Sequence, residues 1–426
     1  MKDIKPGPGS SLNDEGIDFR RVGRWLLFRA DDGVAGSELW RTDGTPKGTR
    51  RVKDINPGPG HSSPAEFELM GGVLFFQADD GVTGTELWRT DGTRKGTRRV
   101  KDINPGPADS SPQELTRLGK RILFTANDGA AGWELWRTDG TKKGTRRVKD
   151  INPGPSFAQP HDFVRLGKKL LFSASDGTLS IELWRTDGTK KGTRLVKDIR
   201  PGPGDSSPGD LVRLGKRVIF SATHDATGRE LWRTDGTRKR TRLVKDLFPG
   251  GNAFPERLTV YGKVILFRAD GPAGRELWRT DGTRKGTRRV KDINPGPGDS
   301  EVDDLVRFGK IVLFQADDGV TGTELWRTDG TKKRTKRLKD IHPGPGSSIP
   351  DKFTTVGDWA VFKADDGTTG AELWRTDGTK KGTRRLRDLN PGPGAAYPGY
   401  FTPLGRWFLF GAYDGVTGYE LWKLRR

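Results

Sequence analysis

The sequence predicts an all-β fold, a closed β-propeller of nine blades with four antiparallel strands in each blade. Three observations predict it. The tripeptide Glu-Leu-Trp occurs nine times in 426 residues, at intervals of 48 residues except for one of 46. Each repeat contains four short strand-like segments, and the two chain ends carry complementary parts of one repeat. Four strands in a repeat of roughly 40–50 residues are typical of a propeller blade.

The repeat at 115–151 shows the four predicted strands. They cover 115–118, 121–126, 134–138 and 145–151, and are rich in β-branched and aromatic residues with short alternation. The segments between them, such as Asn-Asp-Gly-Ala-Ala-Gly and Asp-Gly-Thr-Lys-Lys-Gly, are turn sequences. We expect the short first strand to be innermost and the charged fourth strand to form the outer rim.

One tryptophan per repeat is expected to pack between blades, because a large aromatic residue at a fixed place in each sheet explains its recurrence. A sugar-stacking role for these tryptophans is the less favoured alternative. The structural tryptophans are Trp40, Trp88, Trp136, Trp184, Trp232, Trp278, Trp326, Trp374 and Trp422. Four further tryptophans break the repeat, and any singular site is expected near them; they are Trp25, Trp133, Trp359 and Trp407.

The chain ends predict how the propeller closes. Residues 1–5 match the end of a fourth strand, whereas residues 397–424 supply three strands of a blade without a fourth. We therefore expect a single domain over residues 1–426, in which residues 1–5 form the outer strand of the last blade. Two smaller propellers or an open array are the alternatives, and the irregular stretch 248–257 is the weakest point of the single arrangement.

Composition points to anionic partners. The chain has 76 Lys and Arg against 56 Asp and Glu, a formal net charge of +20, which attracts polyanions non-specifically. Absence of cysteine excludes disulfides and thiolate metal sites. Apolar runs are too short to span a bilayer, and residues 1–11 have no signal-peptide core.

The strand order assigns the turns to two opposite faces. The loops with Asp-Asp-Gly are expected on one face with the Pro-Gly linkers, and are interpreted as structural turns in preference to Ca²⁺ sites. The basic third-to-fourth turns are expected on the other face. A merely solvated rim is the favoured interpretation of these turns, and the alternative is that they are candidates for binding polyanions. These candidates are Lys47, Arg94, Lys95, Lys142, Lys143, Lys190, Lys191, Arg238, Lys239, Arg284, Lys285, Lys332, Lys333, Lys380 and Lys381.

The innermost strand often carries an arginine. If those side chains line the central channel, they could hold anions or ordered water; they could instead point between the blades. These channel candidates are Arg117, Arg165, Arg213 and Arg307.

The run ELWRTDGTKKGTRRVKDINPG at 134–154 resembles a repeat of bacterial proteins of the ELWxTDGTxxGTxxVKDIxPG type. The resemblance covers essentially the whole chain and implies a near-symmetric propeller in an exported or cell-surface protein. It supplies no catalytic residues to carry over. Local departures include Arg240 and Arg334, which replace the second turn glycine.

Function is predicted to be non-enzymatic: a monomeric binding or scaffold propeller whose partners are anionic polymers or proteins. Catalysis needs a singular constellation of groups, whereas the polar groups here recur with little variation, so no catalytic residue, metal site or cofactor is expected. A structural repeat domain of an exported or surface protein is the first alternative, and an enzyme that uses the central channel is the second. Sequence-specific nucleic-acid recognition is not expected, because no motif for it is present.

Overall fold

The computed structural model describes residues 1–12, 18–178 and 180–425. The predicted fold class is confirmed: the protein is all-β, with nine antiparallel sheets that are the nine blades of a β-propeller. The chain divides into two compact units, one of Met1–Gly209 with Gly236–Arg238 and one of Asp210–Asp235 with Lys239–Arg426. Within the described ranges, no helix has the length and apolar character needed to cross a bilayer.

The first unit contains blades 1 to 4, in which consecutive strands are hydrogen-bonded neighbours. First strands of successive blades contact one another, so the first strand is the inner one. The strands are β1 (Arg20–Val22), β2 (Trp25–Asp31), β3 (Ser37–Thr42) and β4 (Arg50–Lys53) in blade 1; β5 (Ala65–Met70), β6 (Val73–Asp79), β7 (Thr85–Thr90) and β8 (Arg98–Lys101) in blade 2; β9 (Gln113–Leu118), β10 (Arg121–Asn127), β11 (Trp133–Thr138) and β12 (Arg146–Lys149) in blade 3; β13 (His161–Leu166), β14 (Lys169–Ser175), β15 (Ile181–Thr186) and β16 (Arg194–Lys197) in blade 4.

The second unit contains blades 5 to 9 and repeats the same order of strands. Short 3₁₀ turns occur at Arg238–Arg240 and Lys332–Arg334, the two places where arginine replaces the turn glycine. The strands are β17 (Gly209–Leu214), β18 (Arg217–His224), β19 (Gly228–Thr234) and β20 (Arg242–Lys245) in blade 5; β21 (Glu256–Tyr261), β22 (Val264–Gly271), β23 (Gly274–Thr280) and β24 (Arg288–Lys291) in blade 6; β25 (Asp303–Phe308), β26 (Ile311–Asp317), β27 (Thr323–Thr328) and β28 (Lys336–Lys339) in blade 7; β29 (Asp351–Val356), β30 (Trp359–Asp365), β31 (Ala371–Thr376) and β32 (Arg384–Arg387) in blade 8; β33 (Gly399–Leu404), β34 (Trp407–Tyr413) and β35 (Tyr419–Arg425) in blade 9.

Blade 9 contains three assigned strands, β33 to β35. Residues 1–5 are not assigned to a strand. The fourth strand expected from residues 1–5, and the organisation of residues 1–426 as one domain, stay predictions.

The hydrophobic core lies between neighbouring sheets. In one cluster Leu123 and Leu135 of blade 3 pack with Leu170, Phe172 and Trp184 of blade 4. The Glu-Leu-Trp tryptophans from Trp40 to Trp374 are all buried, at 3 to 8% exposure, whereas Trp422 is half-buried. Seven of these tryptophans lie in the apolar layers that join one blade to the next within a unit: Trp88, Trp136, Trp184, Trp278, Trp326, Trp374 and Trp422.

Candidate functional site

In the blades that have four assigned strands, the third-to-fourth turn is held by its own polar side chains. In blade 3, Asp139 Oδ1 accepts hydrogen bonds from the N–H of Thr141 at 2.9 Å and from its hydroxyl at 2.7 Å. These bonds lower the pKa of the Asp139 carboxyl, so it stays ionised and keeps both donors. The hydroxyls of Thr138 and Thr145 pair across the base of the turn at 2.6 Å. These hydrogen bonds fix the conformation of the turn that carries Lys142 and Lys143.

Neighbouring turns are tied together within each unit. Arg137 Nη1 donates to the carbonyl of Gly188, in the turn of the next blade, at 2.6 Å. In the second unit Arg279 Nη1 donates in the same way to Gly330 at 3.0 Å. Successive basic turns therefore lie side by side along one edge of each unit, which we call the turn face.

All fifteen candidates for polyanion binding are exposed. In the part of the chain that the structure describes, none of their side chains forms an ion pair or a hydrogen bond. Lys380 lies close enough to Lys339 to lower the pKa of that lysine, although burial of Lys339 is the larger cause. The charges of the turn face are thus available to an external anion.

In the first unit, the space between two turns forms a basic cleft of about 270 Å³. Burial lowers the pKa of Arg137 in this cleft, and repulsion from Arg121 and Arg146 lowers it further. The cleft is lined by Arg137, Arg146, Arg147, Val148, Gly188, Thr189 and Lys190.

A larger cleft of about 630 Å³ opens on the turn face of the second unit. Its lining includes six cationic side chains and one carboxylate, and that carboxylate, Asp235, pairs with Arg240 at 3.2 Å. Burial, then repulsion from Arg242 and Arg217, lowers the pKa of Arg233. The lining residues are Lys216, Arg217, Arg233, Thr234, Asp235, Lys239, Arg240 and Arg242. Five of them are cations that were not among the candidates for polyanion binding: Lys216, Arg217, Arg233, Arg240 and Arg242.

The four channel candidates fold back onto the first-to-second turns. The Nε of Arg117, Arg165 and Arg213 donates to the carbonyl of the glycine two residues later, at 3.0, 3.1 and 2.9 Å. Arg307 makes the same contact with Gly309 at 3.5 Å. Their exposed side chains are held beside the turn that joins the first strand to the second.

Carboxylates occupy the start of the inner strands in the first unit. Glu66 Oε2 accepts the N–H of Glu114 at 2.8 Å, and Glu114 is held at a φ of +59°. Burial raises the pKa of Glu114, and the nearby carboxylates of Asp162 and Glu66 raise it further. Sequence reasoning missed this row of carboxylates. It predicted that the first strand of blade 3 starts at residue 115, whereas the strand starts at Gln113 and includes a bulge.

The second-to-third loops on the opposite face use their carboxylates for local contacts, as the Asn-Asp-Gly loop of blade 3 shows. Asp128 Oδ1 accepts the N–H groups of Ala130 and Ala131 at 3.1 and 2.9 Å, as expected of a structural turn. Its Oδ2 lies 3.4 Å from Arg147 Nη1, which the fourth strand supplies. Among the described residues, no group of three or more His, Cys, Asp or Glu is arranged to hold a metal ion.

The glutamate of Glu-Leu-Trp is a structural residue that sequence reasoning also missed. Glu134 is fully buried, and its two carboxyl oxygens accept the N–H groups of Ile151 and Asn152 at 2.7 and 2.9 Å. This contact ends the fourth strand and turns the chain into the linker to the next blade. Burial raises the pKa of Glu134 to about 7. The recurrence of this glutamate in all nine Glu-Leu-Trp tripeptides was the sequence signal that could have identified it.

The nine antiparallel sheets place the chain in the class of β-propellers. No family model and no curated protein sequence matches it. Similar solved structures include a puromycin hydrolase, at 15% identity and a TM-score of 0.42, covering 82% of this chain and 58% of that one. A puromycin-hydrolyzing peptidase of Mycobacterium tuberculosis has 14% identity and a TM-score of 0.43, covering 82% and 57%. A structure described for two prolyl endopeptidases has 12% identity and a TM-score of 0.46, covering 83% and 55%.

The chain spans somewhat more than half the length of these peptidases, and likeness at this identity shows the fold alone. Because these neighbours are all peptidases, they contradict the expectation of a non-enzymatic binding or scaffold protein and the expectation that the chain is not an enzyme. Propellers occur in enzymes as well as in binding proteins, and symmetry of the polar groups was too weak an argument against catalysis. The resemblance to the bacterial repeat proteins stays a prediction.

Proposed function

We propose that the chain binds linear anionic polymers through the turn face, with their anionic groups seated in the clefts between neighbouring turns. The observation that carries the proposal is the cleft in the second unit, where six cationic side chains surround one carboxylate. Such binding is compatible with an enzyme as well as with a binding protein.

The clefts combine two kinds of cation that suit anionic groups. Arginines such as Arg233 present planar guanidinium groups, which can form two parallel hydrogen bonds to a phosphate, sulfate or carboxylate. Lysines such as Lys239 are exposed at the rim and act as mobile point charges. A half-buried arginine at the base and lysines at the rim would hold one charged group per cleft.

Repulsion within the clefts favours a bound anion over a merely solvated rim. Burial lowers the pKa of Arg137 and of Arg233, and the cations beside each arginine lower it further, although a nearby carboxylate opposes the shift in both cases. Convergence of like charges destabilises the free protein, and an anion removes this repulsion. Because successive turns lie side by side, a long polymer can engage several clefts and gain affinity through multivalency.

Retention on immobilised heparin in a salt gradient tests the proposal. The variant Lys332→Gln with Lys333→Gln removes two exposed turn charges of the second unit. The control Arg257→Gln with Lys352→Gln removes two charges at the start of inner strands, away from the turns. We expect the turn variant to elute at clearly lower salt than the control, because fewer counterions are released on binding. Equal elution of the two variants would show that only net charge matters and would overturn the proposal.

A further inference from the structure

A further cavity lies on the linker side of the first unit, between blades 3 and 4. Its volume is about 330 Å³, at the lower end of the range for small-molecule sites. It is lined by Gln113, Glu114, Thr125, Trp133, Gln159, Pro160 and His161. Trp133 is one of the four tryptophans that break the repeat.

At the position of Thr125, beside the cavity, blade 3 carries a short side chain where several other blades carry a long one. Thr125 occupies the position of Gln77 in blade 2 and Gln315 in blade 7. In blade 6 the same position is Arg268, which pairs with Glu256 at 2.8 Å and with Asp303 at 3.2 Å. The space that those side chains fill is left open beside Trp133.

The cavity walls are fixed by hydrogen bonds. The carbonyl of Trp133 accepts the N–H groups of Ala158 and Gln159 at 3.0 and 3.1 Å. The hydroxyl of Thr125 donates to the carbonyl of Pro160. Gln159 is held at a φ of +44°. The site is therefore formed before any ligand arrives, which reduces the entropic cost of binding.

The lining offers an aromatic face together with both hydrogen-bond donors and acceptors. The half-buried Trp133 indole makes no ring contact or hydrogen bond with any other described residue. The exposed amides of Gln113 and Gln159 are likewise without partners among the described residues. The carboxylate of Glu114 accepts the N–H of Phe163 and keeps further acceptor capacity. His161 Nδ1 lies 2.8 Å from the carbonyl of Gln159, which leaves Nε2 for a ligand.

We propose that this cavity binds one pyranose ring of a neutral sugar, stacked on Trp133 and hydrogen-bonded to Gln113, Glu114 and His161. A pyranose has one apolar face and a rim of hydroxyls that both donate and accept, which matches this lining. An organic cation would use the indole and the carboxylate and would leave the amide donors unpaired. An anion would be repelled by the row of Glu66, Glu114 and Asp162.

Saturation-transfer NMR with the methyl pyranosides of glucose, galactose, mannose and N-acetylglucosamine tests this inference. The repeat itself supplies the variants: Thr125→Gln introduces the residue of blades 2 and 7, and Trp133→Thr introduces their Thr85 and Thr323. We expect at least one glycoside to bind the natural chain, and either variant to weaken it by about tenfold or more, equivalent to roughly 1.4 kcal/mol. Thr85→Ala, the same strand position in blade 2, is the control and should bind normally.

The result depends on binding rather than on folding, because both substitutions reproduce residues that the other blades already accommodate. Melting temperatures and heparin elution should match those of the control. A glycan array read with the same variants distinguishes a free sugar from a ring carried on a polymer. The inference is overturned if none of the four glycosides binds, if Thr125→Gln binds as well as the natural chain, or if choline competes with the sugar.

Discussion

The Nζ atom of Lys149, in blade 3, lies 5.1 Å from the centre of the Trp184 ring in blade 4 and donates to the carbonyl of Thr193 at 3.2 Å. The same pair of contacts recurs between successive blades of each unit, for example from Lys101 to Trp136 and from Lys291 to Trp326. The lysine of Lys-Asp-Ile therefore covers the tryptophan of the following repeat. This contact explains why both residues recur at fixed spacing.

Replacing Lys149 by Met should destabilise the first unit. The substitution keeps most of the apolar chain but removes the cation–π contact and the hydrogen bond, together worth about 1–2 kcal/mol. Urea unfolding measures the change. Lys143→Met removes an exposed lysine of the same repeat that forms no ion pair or hydrogen bond with any described residue, and should leave the unfolding free energy nearly unchanged. Equal effects of the two substitutions would refute a structural role for the lysine.

Deleting residues 1–5 should lower the melting temperature sharply. Lys2 Nζ lies 5.3 Å from the centre of the Trp40 ring, the relation that Lys53 has to Trp88 in the next repeat. Lys2 therefore makes the contact that the lysine of a fourth strand makes in the other repeats. The sequence predicts this, because residues 1–5 are expected to complete the blade of residues 397–424. Lys2→Met separates loss of the Trp40 contact from loss of the whole strand. An unchanged melting temperature after the deletion would contradict the predicted pairing.

Stability should fall as the pH rises from about 4.5 to about 7. Burial raises the pKa of Glu86, Glu134, Glu182, Glu230 and Glu276 from 4.5 to about 7, so the folded chain binds more protons than the unfolded chain in this interval. A group whose pKa is raised by folding makes its full contribution to the free energy of unfolding at pH values below its pKa in the unfolded chain. That contribution is lost as the pH rises through its pKa in the folded chain. Melting temperatures measured from pH 5 to 7.5 should therefore decrease. A rising curve over this range would contradict the assigned burial.

Glu134→Gln should destabilise blade 3 by about 1–3 kcal/mol, because the new amide nitrogen faces a backbone N–H and one buried donor loses its acceptor. The substitution should also make the melting temperature less dependent on pH between 5 and 7.5. Glu301→Gln, at an exposed position, is the matched control. A Glu134→Gln variant as stable as the control would mean that the two N–H groups of the linker do not need the carboxylate.

The blades could be predicted from sequence because strand identity depends on local alternation and on turn residues. Strand ends were less accurate where distant contacts decide them. The fourth strand of blade 3 ends at Lys149 instead of 151, because Glu134 captures the N–H groups of Ile151 and Asn152. The first strand starts at Gln113 instead of 115, because Glu114 adopts a positive φ at a bulge.

The exposed basic turns were found from sequence, whereas the clefts were not. Arg146 belongs to the start of the fourth strand and Lys190 to the turn of the next blade, so their approach across one cleft depends on packing between sheets. The cavity beside Trp133 could be found only in part. The unusual tryptophan was visible, but the space that Thr125 leaves open requires the register of neighbouring strands.

Acetylation of lysines in the presence and absence of bound heparin, read by mass spectrometry, tests most directly where anionic polymers bind. Bound heparin should slow acetylation of Lys142, Lys143, Lys190, Lys191, Lys332 and Lys333, all in exposed turns. Lys352, at the start of an inner strand, should react at the same rate with and without heparin. Protection of Lys352 together with unprotected turn lysines would contradict binding at the turn face.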